Sequence, residues 1–302
     1  LMFGGEALLD IWHNENFNFI KCDINEHARF NKILINDNFD AVIHLAAIVG
    51  DPACRIYSDL AEQTNWKSTK WLLDKCMEIG IPKFLFASTC SNYGKMDDSE
   101  SYVDEESTLA PVSLYAEFKV KFEQYMLDEI NKNTNFSPTS LRFSTVYGLS
   151  PRMRFDLTVN EFTKDLALGR ELIIFGEKFW RPYCHVKDFS NAFITVLRSP
   201  KEKVAYNVFN VGDTSENYTK QMLVEEIQKA IPDAQIKYVD KNEDPRDYRV
   251  NSDKIKRELG FEITMRVSDG IEEVKRLVQD GVIQDPEDQR YYNIPHEPYN
   301  GR

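Results

Sequence analysis

The sequence predicts an α/β fold built on a doubly wound parallel sheet, and two observations lead to that prediction. Short runs of apolar, β-branched or aromatic residues alternate with longer segments of helical periodicity along most of the 302 residues. One helical segment, 113–130, carries Leu114, Phe118, Phe122 and Met126 at i, i+4 spacing, which is typical of a helix packed on a sheet. A chain of this length can bury a sizeable core.

The elements follow one another in the order that such a fold requires. A helix over 58–80 ends at Gly80 and Pro82, and the helix over 113–130 is opened by Pro111 and Ser113. After Gly148 the pattern changes to a turn, a helix over 157–168 and a short strand over 172–175. The strands of the main sheet are predicted over 17–21, 41–45, 83–88, 138–144 and 206–211.

Composition excludes several classes of function. The net charge of −12 argues against nucleic acid or an anionic membrane surface as partner, because both require a basic face. No run approaches the roughly eighteen apolar residues of a membrane span. The five cysteines are dispersed without a C-x-x-C pair, which indicates reduced thiols in a cytoplasmic protein. The histidines show no metal-ligand spacing, so no metal is expected.

One group of residues carries a chemical signal. Tyr115 and Lys119 are four residues apart on a predicted helix, so the phenol and the ammonium project from one face. A nearby ammonium favours the phenolate and lowers the pKa of a tyrosine, which predicts that Tyr115 acts as a base. Thr89, at the end of the strand 83–88 and 26 positions upstream of Tyr115, could hold the substrate oxygen. Together the three predict alcohol–ketone chemistry.

From these residues and the segments around them, the chain resembles the extended short-chain dehydrogenase/reductase superfamily, in its nucleotide-sugar epimerase/dehydratase branch. The resemblance runs from residue 1 to about residue 285. The matching pieces stand in family order: Cys22-Asp23-Ile24, His44-Leu-Ala-Ala47, Asn65-Trp-Lys-Ser-Thr69, Ser88-Thr-Cys-Ser-Asn-Tyr-Gly94, Tyr115 with Lys119, Leu141-Arg-Phe143 and Arg181-Pro-Tyr-Cys-His-Val-Lys-Asp188.

The resemblance implies a Rossmann-type sheet and a smaller, discontinuous α/β substrate domain. It assigns 1–149 and 183–212 to the dinucleotide-binding domain, 150–182 and 213–285 to the substrate domain, and 286–302 to an extended tail. Relatives begin with a strand, a glycine-rich turn and a helix that bind the cofactor pyrophosphate. No Gly-x-x-Gly-x-x-Gly occurs here. We therefore expect the sequence to start about one β-α-β unit later than its relatives, as a fragment or with N-terminal residues missing.

The resemblance also implies NAD as the cofactor and assigns residues to it. Asp23 and Ile24 match the pair that lies along the adenine, although an aspartate at a strand end is often only a turn former. Ala46 and Ala47 match the small residues over the cofactor phosphates. Lys119 matches the lysine that holds the cofactor ribose. The residue that separates NAD from NADP in relatives ends their second strand and has no counterpart in this sequence.

The substrate implied is a nucleoside-diphosphate sugar. Arg181 matches the arginine that pairs with the pyrophosphate, which a guanidinium fork suits well. Arg246 or Arg249 falls near a second phosphate or ribose contact. Phe175 is where relatives place a residue against the nucleobase, and a strand phenylalanine is otherwise a core residue. Thr145 stands where epimerases commonly have an asparagine near the diphosphate.

Two loops resemble a subgroup that includes GDP-heptose C4 dehydrogenases. They are Ser150-Pro-Arg-Met-Arg-Phe-Asp-Leu157 and Arg246-Asp-Tyr-Arg-Val250. In the first loop, Arg152 and Arg154 could face the sugar or the phosphate, or could be exposed arginines without a role. A homodimer is expected, because relatives pair through the helix that carries Tyr115 and its neighbour.

The sequence thus predicts an NAD-dependent enzyme in which Tyr115 takes the proton of a sugar hydroxyl, at C4, while Thr89 binds the oxygen that becomes a ketone. Return of the hydride would give an epimerase, and release of the ketone a dehydrogenase. Dehydratases of this branch carry an acidic pair after the threonine, whereas this chain has Cys90 and Ser91 there, which argues against 4,6-dehydration. Alternatives are an NAD(P)H-dependent keto-sugar reductase and a non-catalytic dinucleotide-binding regulator.

Overall fold

The strands form one main sheet and two small ones. The computed structural model describes residues 4–96, 101–130, 135–239 and 246–295. Within these ranges the strands are β1 Val42–His44, β2 Lys83–Thr89, β3 Ser137–Phe143, β4 Thr145–Tyr147, β5 Leu172–Phe175, β6 Trp180–His185, β7 Asn207–Val211, β8 Asn217–Thr219 and β9 Ile236–Val239.

Helices occupy most of the connections between the strands. The α-helices are α1 His27–Asn36, α2 Asp51–Ile56, α3 Ser58–Ala61, α4 Thr69–Ile79, α5 Leu114–Ile130, α6 Thr158–Ala167, α7 Val186–Arg198, α8 Lys201–Val204, α9 Lys220–Ala230, α10 Asp253–Leu259 and α11 Val267–Gln279. A π-helical stretch spans Glu62–Ser68, and 3₁₀ turns span Glu6–Ile11, Cys90–Tyr93 and Gln289–Tyr291. No helix in the described part of the chain is long and apolar enough to cross a membrane.

The main sheet has the order β1-β2-β3-β7, and all its pairs are parallel. Both of its faces are covered, as a parallel sheet requires. On one face Phe84 and Phe86 of β2 pack with residues of α4 and α5, including Phe122. On the other face Leu85 packs with residues of α7, including Phe193. The predicted doubly wound α/β fold is confirmed.

A second group of elements packs beside the main sheet. Strand β6 pairs with β4 in parallel and with β8 antiparallel, and β5 pairs with β9 in parallel. Buried residues of α6, α9 and α11, such as Val159, Leu223 and Ile271, share one apolar cluster with Ile174 and Tyr183 of these strands. The domain boundaries drawn from the sequence stay a prediction.

The predicted strand over 17–21 is wrong, since the structure has irregular backbone there. The pattern Phe17, Phe19, Ile20 is typical of a strand, but a strand also needs a neighbour for its backbone hydrogen bonds. Among the described residues no strand pairs with this segment, and β1 pairs with β2 only. Phe19 and Ile20 are exposed.

The predicted single helix over 58–80 is divided into α3, the π-helical stretch and α4. The π-helical stretch contains Asn65, whose side chain hydrogen-bonds both the N–H and the carbonyl of Ile48, at 2.8 and 2.9 Å. A π-bulge re-aims side chains inside a helix and often occurs at functional sites. The predicted end at Gly80 is right, because Gly80 adopts the left-handed conformation, with φ of +83°, that closes the helix.

The segment predicted as an extended tail is packed on the protein over much of its described length. Tyr292 is buried in a cluster with Phe155 and Val274. Residues 296–302 of the predicted tail lie outside the described residues.

A buried histidine lies at the end of β1. His44 is 4% exposed, and its Nε2 is 2.9 Å from the hydroxyl of Thr69. Burial, assisted by the positive charge of Lys119, lowers the pKa of His44 from 6.5 to about 3. The imidazole is therefore neutral at pH 7, and it is a structural residue of the core.

This lowered pKa predicts a loss of stability in mild acid. The unfolded chain binds a proton at His44 near pH 6.5 and the folded chain does not, so stability falls as pH falls from 6.5 toward 3. Between pH 7 and pH 5 the expected loss from this group is about 2 kcal/mol. Urea unfolding at the two pH values should show this loss in the wild type and in the exposed-site control His13→Gln. It should be absent in His44→Gln, and an equal loss in all three proteins would contradict the prediction.

Candidate active site

A cavity of about 530 Å³ opens at the carboxyl ends of β2 and β3. Ligands of open α/β sheets bind at this edge, where the strands end and the connecting loops begin. Of the residues named from the sequence, the cavity brings together Ala47, Thr89, Tyr115, Lys119, Thr145, Arg154 and Arg246. These residues come from β2, α5, β4 and the loops after β1, β4 and β9, so the fold collects them from distant parts of the chain.

Lys119 is anchored beneath Tyr115. Its Nζ donates a 2.6 Å hydrogen bond to the carbonyl of Ala87 and lies 4.5 Å from the ring centroid of Phe86. The same ammonium is 5.7 Å from the ring centroid of Tyr115. Lys119 is 5% exposed, and burial lowers its pKa from 10.5 to about 8. The side chain is fixed between helix α5 and strand β2, as the i, i+4 spacing predicts.

The direction of the pKa shift of Tyr115 differs from the prediction. The sequence predicts a lowered pKa, but in the structure burial raises it above its usual value of 10. The carboxylate of Asp51 acts in the same direction, while the guanidinium of Arg154 lowers the pKa of Tyr115. Desolvation is the largest of these effects, and the ammonium of Lys119 is hydrogen-bonded to the carbonyl of Ala87. The phenol is therefore protonated near neutral pH unless further positive charge lies beside it.

Thr89 ends β2 and begins the 3₁₀ turn that follows. Its hydroxyl oxygen accepts a 3.1 Å hydrogen bond from the N–H of Ser91, which leaves the hydroxyl proton available to a ligand in the cavity. Cys90 turns away from the cavity and donates to the carbonyl of Arg142 at 3.2 Å. Ser91 faces the cavity and is 3.4 Å from the hydroxyl of Tyr248. The position of Thr89 in the structure is compatible with its predicted role, which is to bind a substrate oxygen.

A second cleft, of about 1140 Å³, adjoins β1 and contains four of the five predicted cofactor residues, Asp23, Ile24, Ala46 and Ala47. The carboxylate of Asp23 accepts a 2.8 Å hydrogen bond from the N–H of Asn25. This bond fixes the Asp23 side chain at the start of a turn. Ala47 borders both this cleft and the cavity that holds Tyr115. The acidic residue at one end and the small side chains in the middle fit part of an extended dinucleotide, and the shared Ala47 places this cleft next to the Tyr115 cavity.

Three predicted substrate residues are not in the lining of the Tyr115 cavity. Arg181 donates to the carbonyl of Trp180 at 2.6 Å and packs 5.4 Å from the ring centroid of Tyr248. Arg249 lies between Trp180 and Tyr102, at 4.4 and 4.2 Å from their ring centroids. Phe175 is 50% exposed on β5. Of Arg181, Arg246 and Arg249, only Arg246 lines the cavity. There it donates a 3.0 Å hydrogen bond to Asp51.

The structure adds residues that the sequence did not single out. Asp51 and Asp156 place two carboxylates in the cavity, and Asn293 comes from the far end of the chain. Arg154 donates two 2.9 Å hydrogen bonds to Asp156. The i, i+2 spacing of Arg154 and Asp156 in one loop is a signal that could have suggested this pair. No local signal points to Asn293, because its position depends on contacts across the chain.

A buried ion pair connects helix α5 to the sheet below the site. Arg142 of β3 pairs with Glu123, which lies two turns after Tyr115 on α5, and both side chains are at most 5% exposed. The hydroxyl of Ser140 donates to Glu123 at 2.6 Å, and Arg142 donates to the hydroxyl of Tyr93 at 2.9 Å. The pair fixes the height of α5 over the sheet and thus the position of Tyr115.

A parallel sheet with Tyr115, Lys119 and Thr89 at its carboxyl edge defines the short-chain dehydrogenase/reductase class. The comparison with known families agrees. Residues 6–212, more than half of the chain, match the model of the NAD dependent epimerase/dehydratase family. The chain belongs to this family, and NAD is the cofactor of the family. The predicted superfamily and the predicted cofactor, NAD, are confirmed by this family membership.

Individual relatives are distant. The chain is 24% identical over 281 residues to protein CapI of Staphylococcus aureus, which covers 85% of this chain and 81% of CapI. It is 26% identical over 280 residues to UDP-glucuronate 4-epimerase 3 of Arabidopsis thaliana, covering 85% of this chain and 63% of that enzyme. The structure of a UDP-glucose 4-epimerase of Thermotoga maritima with UDP-glucose superposes with a TM-score of 0.78 at 24% identity, covering 89% of this chain and 86% of that one.

The buried pair beneath α5 predicts an asymmetric response to mutation. Arg142→Met leaves the carboxylate of Glu123 buried without its partner, which should lower the free energy of unfolding by about 3–5 kcal/mol. The double variant Arg142→Met/Glu123→Gln removes both charges and keeps an acceptor for Ser140, so it should lose less. Urea unfolding of the three proteins measures both values. An equal loss in the single and double variants would show that packing, not charge, is what the pair contributes.

Proposed function

We propose that this chain is an NAD-dependent oxidoreductase that oxidises a hydroxyl, at C4, of a nucleoside-diphosphate sugar. The observation that carries the proposal is that Tyr115, Lys119 and Thr89 line one cavity. This cavity shares Ala47 with the cofactor cleft. The chain belongs to an NAD dependent epimerase/dehydratase family, and two of its relatives are epimerases named for UDP-glucuronate and UDP-glucose. The sugar, the nucleobase and C4 itself are part of the proposal.

In this mechanism Tyr115 takes the proton of the sugar hydroxyl, and Thr89 donates a hydrogen bond to the oxygen as it becomes a ketone. Bound NAD⁺ supplies a hydride acceptor and a positive charge. Burial alone opposes the phenolate, so positive charge must offset it. The chain provides Lys119 beneath the ring and Arg154, whose guanidinium already favours the ionised form of Tyr115.

The cavity supports an epimerase or a dehydrogenase rather than a 4,6-dehydratase. The family includes dehydratases, so membership leaves the question open. Dehydration needs an acid and a base beside the threonine. Cys90 is buried and directed away, and burial raises its pKa far above the usual value. The two carboxylates in the cavity, Asp51 and Asp156, are paired with Arg246 and Arg154.

The other proposals from the sequence have weaker support. A keto-sugar reductase would use the same Tyr115 and Lys119 in the reverse direction, and the NAD dependence of the family favours oxidation. A non-catalytic regulator would not require the tyrosine and the lysine, and the chain has both. Homodimerisation, a cytoplasmic location, and roles of Arg181, Arg249 and Phe175 toward substrate stay predictions, as does the resemblance to GDP-heptose C4 dehydrogenases.

Tyr115→Phe should abolish turnover and preserve nucleotide-sugar binding, because it removes only the hydroxyl that accepts the proton. The expected loss in kcat is about 10²–10⁴-fold, the contribution of a general base. The matched control is Tyr125→Phe on the same helix, whose hydroxyl binds Asp74 outside the cavity. The rate is measured as NADH formed on the enzyme in a single turnover and as conversion of the sugar nucleotide, because an epimerase returns the hydride and accumulates no NADH. A Tyr115→Phe variant that keeps more than about a tenth of the wild-type rate would rule out Tyr115 as the base.

Arg246→Ala should weaken the binding of a nucleoside diphosphate. A guanidinium in this cavity can exchange Asp51 for a phosphate, and a charge-assisted pair contributes roughly 1.5–3 kcal/mol, which is about ten- to more than a hundredfold in Kd. Arg249→Ala is the control, since Arg249 packs between Trp180 and Tyr102 and should affect mainly Tm. Calorimetric titration with UDP and with GDP tests both. If only Arg249→Ala weakens binding, the phosphate site lies at Trp180 instead.

A further inference from the structure

The segment 287–294, here called the strap, crosses the protein and ends at the active-site cavity. Its middle is held by apolar packing. Tyr292 is 4% exposed and lies in a cluster with Met153, Phe155, Val274 and Val278. The N–H of Phe155 also donates to the carbonyl of Tyr291 at 3.0 Å. The strap is therefore part of the folded structure and follows the loop that carries Arg152, Arg154 and Asp156.

Buried charges fix the beginning of the strap. The ammonium of Lys164, with a side chain only 3% exposed, is 3.0 Å from the carboxylate of Glu287 and 3.1 Å from the hydroxyl of Tyr292. Arg170 pairs with the same Glu287 carboxylate. Charge-assisted bonds in a half-buried setting are stronger than neutral ones and hold a defined geometry. The position of the strap is thus determined at both Glu287 and Tyr292.

The end of the strap is bound to the wall of the cavity. The backbone N–H of Asn293 donates to Asp156 at 3.1 Å, and the side-chain oxygen of Asn293 accepts from Arg152 at 3.0 Å. With its oxygen held by Arg152, the side-chain amide presents its nitrogen as the remaining polar group. The structure records no hydrogen bond from this nitrogen among the described residues. Asn293 and Ile294 both line the cavity that contains Tyr115.

The location of Asn293 indicates which part of a ligand it would meet. Asn293 also lines a smaller cavity, of about 190 Å³, together with Ala47, Ala53 and Arg154. Arg154 belongs to the same wall, and its guanidinium acts on the ionisation of Tyr115. Because Arg154, Asn293 and Tyr115 line one cavity, a ligand in that cavity can reach both this wall and the phenol of Tyr115.

We propose that Asn293 is a specificity-determining residue of the substrate site, whose amide nitrogen donates a hydrogen bond to a hydroxyl of the sugar in a nucleoside-diphosphate sugar. The proposal rests on the proposed function. The strap brings this donor to the cavity, Arg152 and Asp156 orient it, and Tyr115 reacts with a neighbouring hydroxyl of the same sugar. A neutral donor suits a sugar hydroxyl, while the diphosphate is served by Arg246.

The test compares sugar nucleotides with the same nucleotides lacking the sugar. UDP-glucose with UDP, and GDP-mannose with GDP, are titrated calorimetrically into the wild type, Asn293→Ala and Asn293→Asp. The aspartate keeps an acceptor for Arg152 and removes the donor, but it also adds a negative charge, so Asn293→Ala is the deciding variant. We expect Asn293→Ala to raise the Kd of the sugar nucleotide about three- to tenfold, the range of one hydrogen bond, and to leave the Kd of the nucleoside diphosphate unchanged.

The matched control is Asn207→Ala at the start of β7, whose side chain bonds Lys203 and Lys254 and does not line the cavity. It should lower Tm without changing either Kd. Unchanged sugar-nucleotide binding in Asn293→Ala would overturn the inference and leave the proposed function intact. If Asn293→Ala weakens the binding of the nucleoside diphosphate equally, Asn293 contacts the nucleotide rather than the sugar, and the inference is overturned as well. A wild type that binds none of the four compounds would overturn the proposed function itself.

Discussion

The hydrogen bond from Lys119 to the carbonyl of Ala87 is the contact on which the active site depends. It joins helix α5 to strand β2 at 2.6 Å in a buried setting. Because Tyr115 is one turn before Lys119 and Thr89 is two residues after Ala87, this bond helps to bring both side chains to the same cavity. The buried pair of Glu123 and Arg142 repeats the connection farther down the same helix. Two polar contacts thus fix the height and the rotation of α5 over the sheet.

Much of the main sheet could be predicted, because its strands are buried on both faces. In β2, Phe84 and Phe86 face one set of helices and Leu85 the other, so the whole run is apolar and easily recognised. The segment 17–21 has the same local pattern and forms no strand. A strand forms only where a neighbouring strand accepts and donates its backbone hydrogen bonds, and the sequence of the segment does not show whether such a neighbour is present. For the same reason the π-helical stretch at Asn65 could not be foreseen, since it accompanies a contact with Ile48.

At the site, local spacing is enough to predict that Tyr115, Lys119 and Thr89 share one cavity, while their catalytic roles stay a prediction. Tyr115 and Lys119 are one helical turn apart, and Thr89 ends a recognisable strand, so the sequence places all three. Asp51 and Asn293 could not be predicted, because each reaches the cavity through partners far along the chain, Arg246 for Asp51 and Asp156 for Asn293. The arginines illustrate the same limit. Their charge suits a phosphate, but only the fold separates Arg246, in the cavity, from Arg249, between two aromatic rings.

Electrostatics links the site to its surroundings. Burial raises the pKa of Tyr115 and lowers that of Lys119, so the buried site disfavours the pair of charges that catalysis would use. If Tyr115 is the base, a site built this way requires further positive charge beside the phenol. Arg154 is the residue placed to supply part of that charge, and Asp156 and the strap determine where it lies. If the proposed function is right, the strap therefore acts on both the recognition of the sugar and the ionisation of the base, through one continuous set of contacts from Asn293 to Asp156 to Arg154.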